Sequence, residues 1–180
     1  TSRELCCCII TGFVLKLGGR KDGIATTLLS PTTLKNIVAG GDPVTVDAVR
    51  EVIEMGGNAI DGAVAGVFTS MVAESTLTSA GGGGVMMVCP ADGEPVVFDF
   101  FTDMPTGCAV REDLDFFRVT VDFGPATQDF HIGRGAAGVP SNVAGLLHAQ
   151  ERLGRLKPKA VLAPAIRAAS KGIPISSQQA

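Results

Sequence analysis

From Asp42-Pro43 onward the apolar positions of this chain follow a helical rhythm. Val46, Val49, Val52 and Ile53 recur at helical spacing, with Asp47, Arg50, Glu51 and Glu54 mostly on the other side. Gly56-Gly57 ends that helix. Asn58 supplies an N-cap for the next one, with Asp61 three residues on. From Ala59 to about Ala73 the rhythm gives way to small and apolar residues nearly all round: Ile60, Ala63, Val64, Ala65, Val67, Phe68, Met71 and Val72 leave no polar face. A helix apolar on every face is buried on every face. Fifteen residues are too few for a comfortable membrane span, so this stretch is expected to be a central helix packed under a sheet.

Next comes Glu74-Ser75-Thr76-Leu77-Thr78-Ser79-Ala80, then four glycines, Gly81, Gly82, Gly83 and Gly84. Consecutive glycines cost chain entropy, and a folded chain keeps them where the backbone turns at positive φ or packs very close to something. A phosphate loop is excluded because no Gly-Lys-Ser/Thr follows. A dinucleotide loop is excluded because the order here is helix, glycines, strand. The two remaining readings are a tight helix-to-strand connection and a backbone surface near a ligand.

Residues 85–89 read as a strand, Pro90-Ala91-Asp92-Gly93 as a turn, and 96–101 as a second strand, so 85–101 is expected to be a hairpin closed by Asp103-Met104-Pro105. Residues 106–138 show β-like pieces from Phe116 to Phe123 and then a glycine-rich stretch, 133–138. Ser141 is a plausible N-cap for a helix with Val143, Leu146 and Leu147 inward and Gly154 as its stop. Pro158 opens a last helix through Val161, Leu162, Ala165, Ile166 and Ala169 to Gly172, with Pro164 kinking it or lying in its first turn. The polar tail Ser176-Ser177-Gln178-Gln179-Ala180 reads as a cut end.

Residues 1–41 stand apart as an unassigned N-terminal segment. Arg3 precedes an apolar run from Leu5 to Leu15, which fits a secretory signal core, an ordinary strand or a vector artefact. Residues 16–36 have little period and read as a linker. Secreted, periplasmic and cytoplasmic locations all remain open.

Composition narrows the functional classes. A 46% apolar and 18% charged chain is not a disordered one. Net charge is −3 with no basic block, so nucleic-acid binding has no electrostatic support. Cys6, Cys7, Cys8, Cys89 and Cys108 form neither a disulfide framework nor a zinc pattern, and Cys89 is expected to be a buried small hydrophobe. His131 and His148 lie far apart with no third ligand in a recognisable spacing, so no metal site and no cofactor are expected.

The motifs together resemble one family. Gly56-Gly57-Asn58-Ala59-Ile60-Asp61-Gly62-Ala63-Val64-Ala65 looks like the "GGNAxDAAVA" segment of the γ-glutamyltransferase (γ-glutamyltranspeptidase) family. Val72-Ala73-Glu74-Ser75 followed by Ser79-Ala80-Gly81-Gly82-Gly83-Gly84 resembles "VVEP…SGIGGGG". Val139-Pro140-Ser141-Asn142-Val143-Ala144-Gly145-Leu146 is similar to "VPGxVAGL". Glu151-Arg152-Leu153-Gly154-Arg155-Leu156 and Leu162-Ala163-Pro164-Ala165-Ile166 look like "ERYGRL" and "LAPAI". Each motif alone is mostly Gly and Ala; their common order from about Ile37 to Ser176 carries the resemblance.

The resemblance implies an α+β fold of the N-terminal-nucleophile hydrolases, a partial αββα sandwich with helices packed on a mainly antiparallel sheet. It makes residues 42–180 the N-terminal portion of a large subunit, with a small subunit cut from the same precursor as partner. In the family the new N-terminal Thr of the small subunit attacks a γ-glutamyl carbonyl, its own α-amine serving as base. That is the logic a weak hydroxyl nucleophile needs. The implied substrate is a small γ-glutamyl amide such as glutathione. No catalytic residue is then expected within this chain. The alternative is a non-catalytic remnant of the fold acting as a structural or binding module.

One departure bears on substrate. The family's strand leads into "DGRETAP", whose Arg pairs with the glutamyl α-carboxylate; here Asp99-Phe100-Phe101-Thr102-Asp103-Met104-Pro105 is aligned, with Phe101 at the Arg position. A planar cation that clamps carboxylate is replaced by an apolar ring. Phe101, Thr102 and Asp103 are therefore the candidate substrate-binding residues, with Gly81, Gly82, Gly83 and Gly84 as structural glycines beside them. For Phe101 the competing reading is hairpin core, and for Asp103 a turn cap. Arg111, Arg118 and Arg134 are candidates for a replacement cation or for solvated surface charges. Glu74, Asp61 and Asp99 read as local polar groups at element ends.

Overall fold

The computed structural model describes residues 6–10, 13–17, 36–90, 92–106, 115–175 and 179. Strands β1 (Cys6–Ile10), β2 (Phe13–Leu17) and β3 (Asn36–Ala39) precede helices α1 (Pro43–Glu54) and α2 (Ala59–Ala73). Strands β4 (Gly84–Cys89), β5 (Val96–Phe100), β6 (Phe117–Asp122) and β7 (Thr127–Ile132) follow, then a short 3-10 turn (Arg134–Ala136) and helices α3 (Asn142–Leu153) and α4 (Pro158–Lys171). Five strands form one antiparallel sheet in the order β3-β2-β1-β4-β5, while among the described residues β6 and β7 pair only with each other. The architecture is α+β, with the helices on one face of the sheet.

The apolar run from Leu5 to Leu15 thus reads as strand wherever it is described. The linker expected over 16–36 is corrected at its two ends, since Lys16 and Leu17 finish β2 and Asn36 starts β3; residues 18–35 lie outside the described residues.

Helix α2 is the centre, for the reason its pattern gives. It is buried from Ala59 to Val67 without a break. It packs on α1, α4 and α3 and against β1 and β2. Its start is a reciprocal cap: Asn58 Oδ1 accepts from the backbone N–H of Ile60 (3.0 Å) and Asp61 (3.1 Å), and Asp61 Oδ2 accepts from Asn58 N–H (3.0 Å). Gly62 lets α1 lie close, because a Cβ there would sit 3.0 Å from Val49 Cγ1. On the sheet side Met86, Val88, Phe98 and Phe100 complete the same core.

Asp61 does more than cap. Its Oδ1 also accepts from Gln150 Nε2 (3.0 Å), and its Oδ2 from the backbone N–H of Arg155 (2.9 Å) and Leu156 (3.3 Å). One fully buried carboxylate therefore ties the start of α2 to the α3–α4 connection. Gly154 is part of the arrangement: a Cβ there would come within 2.5 Å of Asp61 Oδ1. Gly154 ends α3 through this close approach, at φ −75°, and not through a left-handed turn.

Several expectations are corrected. The inward face of α3 is Asn142, Leu146, Ala149 and Gln150, while Val143 is exposed and Leu147 half-buried. Two polar residues turn inward because each has a distant partner there. Ser141 precedes α3 but makes no side-chain cap. Pro164 sits in the interior of α4, past its first turn, and is buried with Val161 and Ala165, whereas Ile166 is exposed. Cys89 is half-buried. Strand β7 alternates only briefly, Phe130 and Ile132 with Asp129 and His131, too short a run to announce it, yet it pairs with β6 along its whole length. Ala91 of the hairpin turn and Cys108 lie outside the described residues, as do 176–178 and Ala180 of the tail.

Candidate functional site

The four glycines do not share one purpose. Positive φ values occur at Gly56, Gly93, Gly124, Gly133 and Gly172, and at none of Gly81, Gly82, Gly83 and Gly84. Close approach is the operative reason, and it acts at Gly83. A Cβ there would run into the backbone N of Thr102 and lie 2.8 Å from the carbonyl oxygen of Phe100. Gly82 contributes its carbonyl, which accepts from the N–H of Ser141 (3.2 Å) and Asn142 (3.1 Å) at the start of α3. At Gly81 a Cβ would meet only Ser79 Oγ, at 3.7 Å.

These contacts bring three separate segments of sequence together: the glycine turn, the exit of β5 and the entry to α3. Phe101 leaves β5 with its N–H donating to Asp99 Oδ1 (3.0 Å) and its ring 67% exposed. The hairpin-core reading of Phe101 is therefore corrected; Phe100, one residue earlier, takes the core position. Thr102 lies against Gly138, where a Cβ would strike its methyl group. Asp103 Oδ1 accepts from Met104 N–H (2.7 Å), and the Asp103 carbonyl accepts from Val139 N–H (2.8 Å). Asp103 thus caps the turn as one reading held, and its backbone also pins the chain that leads into α3. Gly145 lies directly on the Phe100 ring, which sets α3 against β5.

Between the turn at residues 74–79 and α3 lies a cleft of about 240 Å³ lined by Ser75, Thr76, Thr78, Ser79, Gly83 and Asn142. Its walls offer hydroxyls and amides, and no lining residue carries a charge. Asn142 shapes it: the side chain is buried, and Nδ2 donates to the Ser79 carbonyl (3.0 Å). Sequence reading missed Asn142 as a site residue, since an Asn at a helix start reads as a cap. Its only signal was its place one residue after Ser141 in the "VPGxVAGL"-like motif. Glu74 ends α2, accepts a long hydrogen bond from Thr45 Oγ1 (3.4 Å) and receives the N–H of Leu77 and Thr78 at its carbonyl.

The candidate replacement cations are engaged elsewhere. Arg118 pairs with Asp129 (3.3 Å) across β6–β7, and Arg134 pairs through Nε with Asp115 (3.3 Å); Arg111 lies outside the described residues. Asp99 and Asp61 occupy unrelated places, one exposed on β5 and one buried at the start of α2. His131 stacks on Phe116 and His148 meets Phe98 edge-on. Among the described residues no three His, Cys, Asp or Glu side chains come together as metal ligands, and no helix is long and apolar enough to cross a membrane. Chemically the cleft offers uncharged hydroxyl and amide groups, and Gly83 in its lining packs on the backbone of Phe100, Phe101 and Thr102. Among the described residues no hydroxyl of the cleft is hydrogen-bonded to a basic side chain.

Comparison with known proteins gives a consistent result. A family model described as Gamma-glutamyltranspeptidase matches residues 45–180. The glutathione hydrolase proenzyme of Pseudomonas aeruginosa is 32% identical over 166 residues, covering 92% of this chain and 28% of the relative. The Acylase ACY 1 proenzyme of Pseudomonas sp. (strain SE83) is 33% identical over 144 residues, covering 79% of this chain and 26% of the relative. Among solved structures, the gamma-glutamyltranspeptidase of Pseudomonas nitroreducens complexed with L-DON superposes with a TM-score of 0.62 at 32% identity, covering 79% of this chain and 41% of that one. The chain thus spans between a quarter and a third of the length of these two curated relatives.

Proposed function

The chain belongs to the γ-glutamyltranspeptidase family, and from that membership we propose that it is the N-terminal portion of the large subunit of a glutathione-hydrolase-like enzyme. Its nucleophile, the N-terminal Thr of a small subunit, lies in polypeptide beyond this sequence. That Thr attacks the carbonyl of an acyl amide, its α-amine takes the hydroxyl proton and passes it to the amine that leaves as the C–N bond breaks, and water or an acceptor amine then takes the acyl group from the Thr ester. This portion of the enzyme supplies one wall of the binding site and the platform beneath it.

The observation that carries the reading is the junction itself. Gly83, Thr102 and the Val139–Asp103 backbone pair bring three family-like motifs together at one point. Phe101, Thr102 and Asp103 stand at its rim. With Phe101 at the position of the family's Arg, and no charged residue lining the adjoining cleft, none of the described residues of that cleft supplies a cation to clamp an α-carboxylate. The acyl group favoured is therefore one without a carboxylate at that point. The relative named an acylase is in keeping with such a shift.

The test is expression of the full reading frame that contains this sequence, followed by assay of two amides. One carries a γ-glutamyl group and the other an uncharged acyl group of the same length. The expected result is release of the uncharged acid at least tenfold faster, with Phe101→Arg narrowing the gap. Self-cleavage into two subunits with preferential γ-glutamyl release would overturn the substrate assignment. No self-cleavage and no acid release would overturn the enzymatic reading and leave the binding module.

A further inference from the structure

Asn142 is a polar side chain with only one end engaged. It opens α3 and is 5% exposed. Its backbone N–H donates to the Gly82 carbonyl (3.1 Å), and its Nδ2 donates to the Ser79 carbonyl (3.0 Å). Because Nδ2 meets an acceptor, the two ends of the amide are distinguished, and Oδ1 is the end left over. Among the described residues Oδ1 accepts no hydrogen bond. It differs from Gln150 Oε1, an acceptor without a partner that is sealed from solvent. Asn142 lines the cleft of about 240 Å³ between the turn at residues 74–79 and α3, and its Oδ1 keeps an open side there.

The rest of the cleft has a matching character. Ser75, Thr76, Thr78 and Ser79 line it with hydroxyls, and among the described residues none of those hydroxyls has a hydrogen-bond partner. A hydroxyl donates or accepts as its neighbour requires. Asn142 Oδ1 can only accept, and two bonds hold the residue where it is. A fixed acceptor with hydroxyls in the same cleft sets the terms for an occupant: a donor for Oδ1, an acceptor for a hydroxyl, and no charge.

We infer that Asn142 determines the specificity of this cleft, and that the group it selects is a neutral primary carboxamide, carried by the acyl chain where a γ-glutamyl group carries its α-carboxylate. The inference rests on the proposed function above and narrows its substrate. A carboxamide brings two N–H donors, one of them for Oδ1, and a carbonyl for the hydroxyls. A carboxylate brings only acceptors, so its oxygens would face Oδ1 with no proton between them, and no lining residue supplies a cation. An ammonium group has donors but would leave water for a cleft with no counter-charge. A methyl group would cover Oδ1 and leave it dry and unpaired, which is how a site built around a hydrogen bond rejects the analogue that lacks it. Asn142 is preorganised for the task, since its bonds to Gly82 and Ser79 are made before any ligand arrives.

The experiment takes the full reading frame that contains this sequence and three amides that differ in one substituent, at the position of the glutamyl α-carboxylate: a carboxamide, a carboxylate or a methyl group. The expected kcat/KM is at least about tenfold higher for the carboxamide than for either of the others. In Asn142→Leu the ratio of carboxamide to methyl should fall to about one. That ratio separates selection from mere support, because a generally loosened cleft lowers both rates together. The ranking is read on the unaltered protein, so it stands even where the variant fails to fold. A methyl substrate as fast as the carboxamide or faster, with the carboxylate slowest, would overturn the inference and leave the proposed function in place. A ratio unchanged in folded Asn142→Leu protein would overturn it too, and a carboxylate substrate fastest of the three would overturn both. If no amide releases its acid, the enzymatic reading fails and the cleft is read directly, by saturation-transfer NMR with glutaramide and with glutarate. Contact with glutaramide alone sustains the carboxamide site, and contact with neither, or with both equally, overturns it.

Discussion

Two regions of this molecule use polar and apolar groups in opposite ways. Around α2, the buried polar groups find partners within the chain with one exception among the described residues, Gln150 Oε1, which has no hydrogen-bond partner. Asp61 is fully buried and receives hydrogen bonds from Asn58, Gln150, Arg155 and Leu156. The apolar surface of α2 is spent against three helices and the sheet. In the β6–β7 ribbon only the polar face is satisfied internally, and the apolar face is left open. Burial therefore follows what the rest of the chain offers, and not hydrophobicity alone. Ala59 and Asp61 are inside, whereas Phe117 and Phe123 are outside.

The largest effect should come from breaking the first region. Asp61→Ala strands four donors, three of them backbone N–H groups, in a buried site. Each lost buried partner costs about 1–3 kcal/mol, part of which water entering the vacancy would recover. A loss of about 4 kcal/mol is expected in the denaturant midpoint followed by circular dichroism, enough to unfold a marginal domain. A loss below about 1 kcal/mol would show that the carboxylate is replaceable and that the contrast with the ribbon is one of burial only. Gly154→Ala probes the same point from the other side, since its Cβ would meet Asp61 Oδ1 and the Gln150 carbonyl at 2.5 Å. A penalty of about 2 kcal/mol is expected for such crowding.

This region also shows what sequence can and cannot convey. The end of α1 and the start of α2 were legible because their signals are local: Gly56 takes a φ of 93° that side chains resist, and Asn58 and Asp61 are three residues apart. The reach of Asp61 to Gln150 and Arg155 was not legible, since those partners lie 89 and 94 residues away. The same holds for Asn142, whose inward turn depends on the Ser79 carbonyl 63 residues earlier. Strand β7 escaped for a different reason. Its Thr-Gln-Asp-Phe-His-Ile sequence is exposed throughout and alternates apolar and polar only from Asp129 to Ile132, too short a run to read as a strand. At the candidate site the glycine turn was readable as a place of close approach. Which glycine makes the approach was not, because the atoms it meets belong to Phe100 and Thr102.

The glycine turn lies between the two extremes and offers the next test. Gly83→Ala forces a methyl group into the backbone of Thr102 and Phe100, where nothing flexible gives way. A loss of about 2–3 kcal/mol is expected for strain of this kind, with the β5 exit displaced. Since Thr102 leads to Asp103 and its pair with Val139, the change should also loosen the entry to α3. Gly81→Ala is the matched control. Its methyl group meets only Ser79 Oγ at ordinary distance, so a change within about 0.5 kcal/mol is expected. Equal penalties at the two positions would mean that chain entropy, and not close approach, explains the run.

The smallest effect belongs to the ribbon. Phe130→Ser in the 180-residue chain should leave the unfolding midpoint unchanged within about 0.5 kcal/mol, the range of exposed substitutions. Phe130 is exposed and outside the hydrophobic core, paired with Val119 across the ribbon and edge-on to Phe123. A buried Phe truncated in this way would cost about 3–5 kcal/mol, so the two outcomes are well separated. A large loss would mean that the ribbon folds back onto the body in solution and that the two regions are one. The open face is the counterpart of Asp61: large apolar groups left exposed in the same molecule that buries a carboxylate completely.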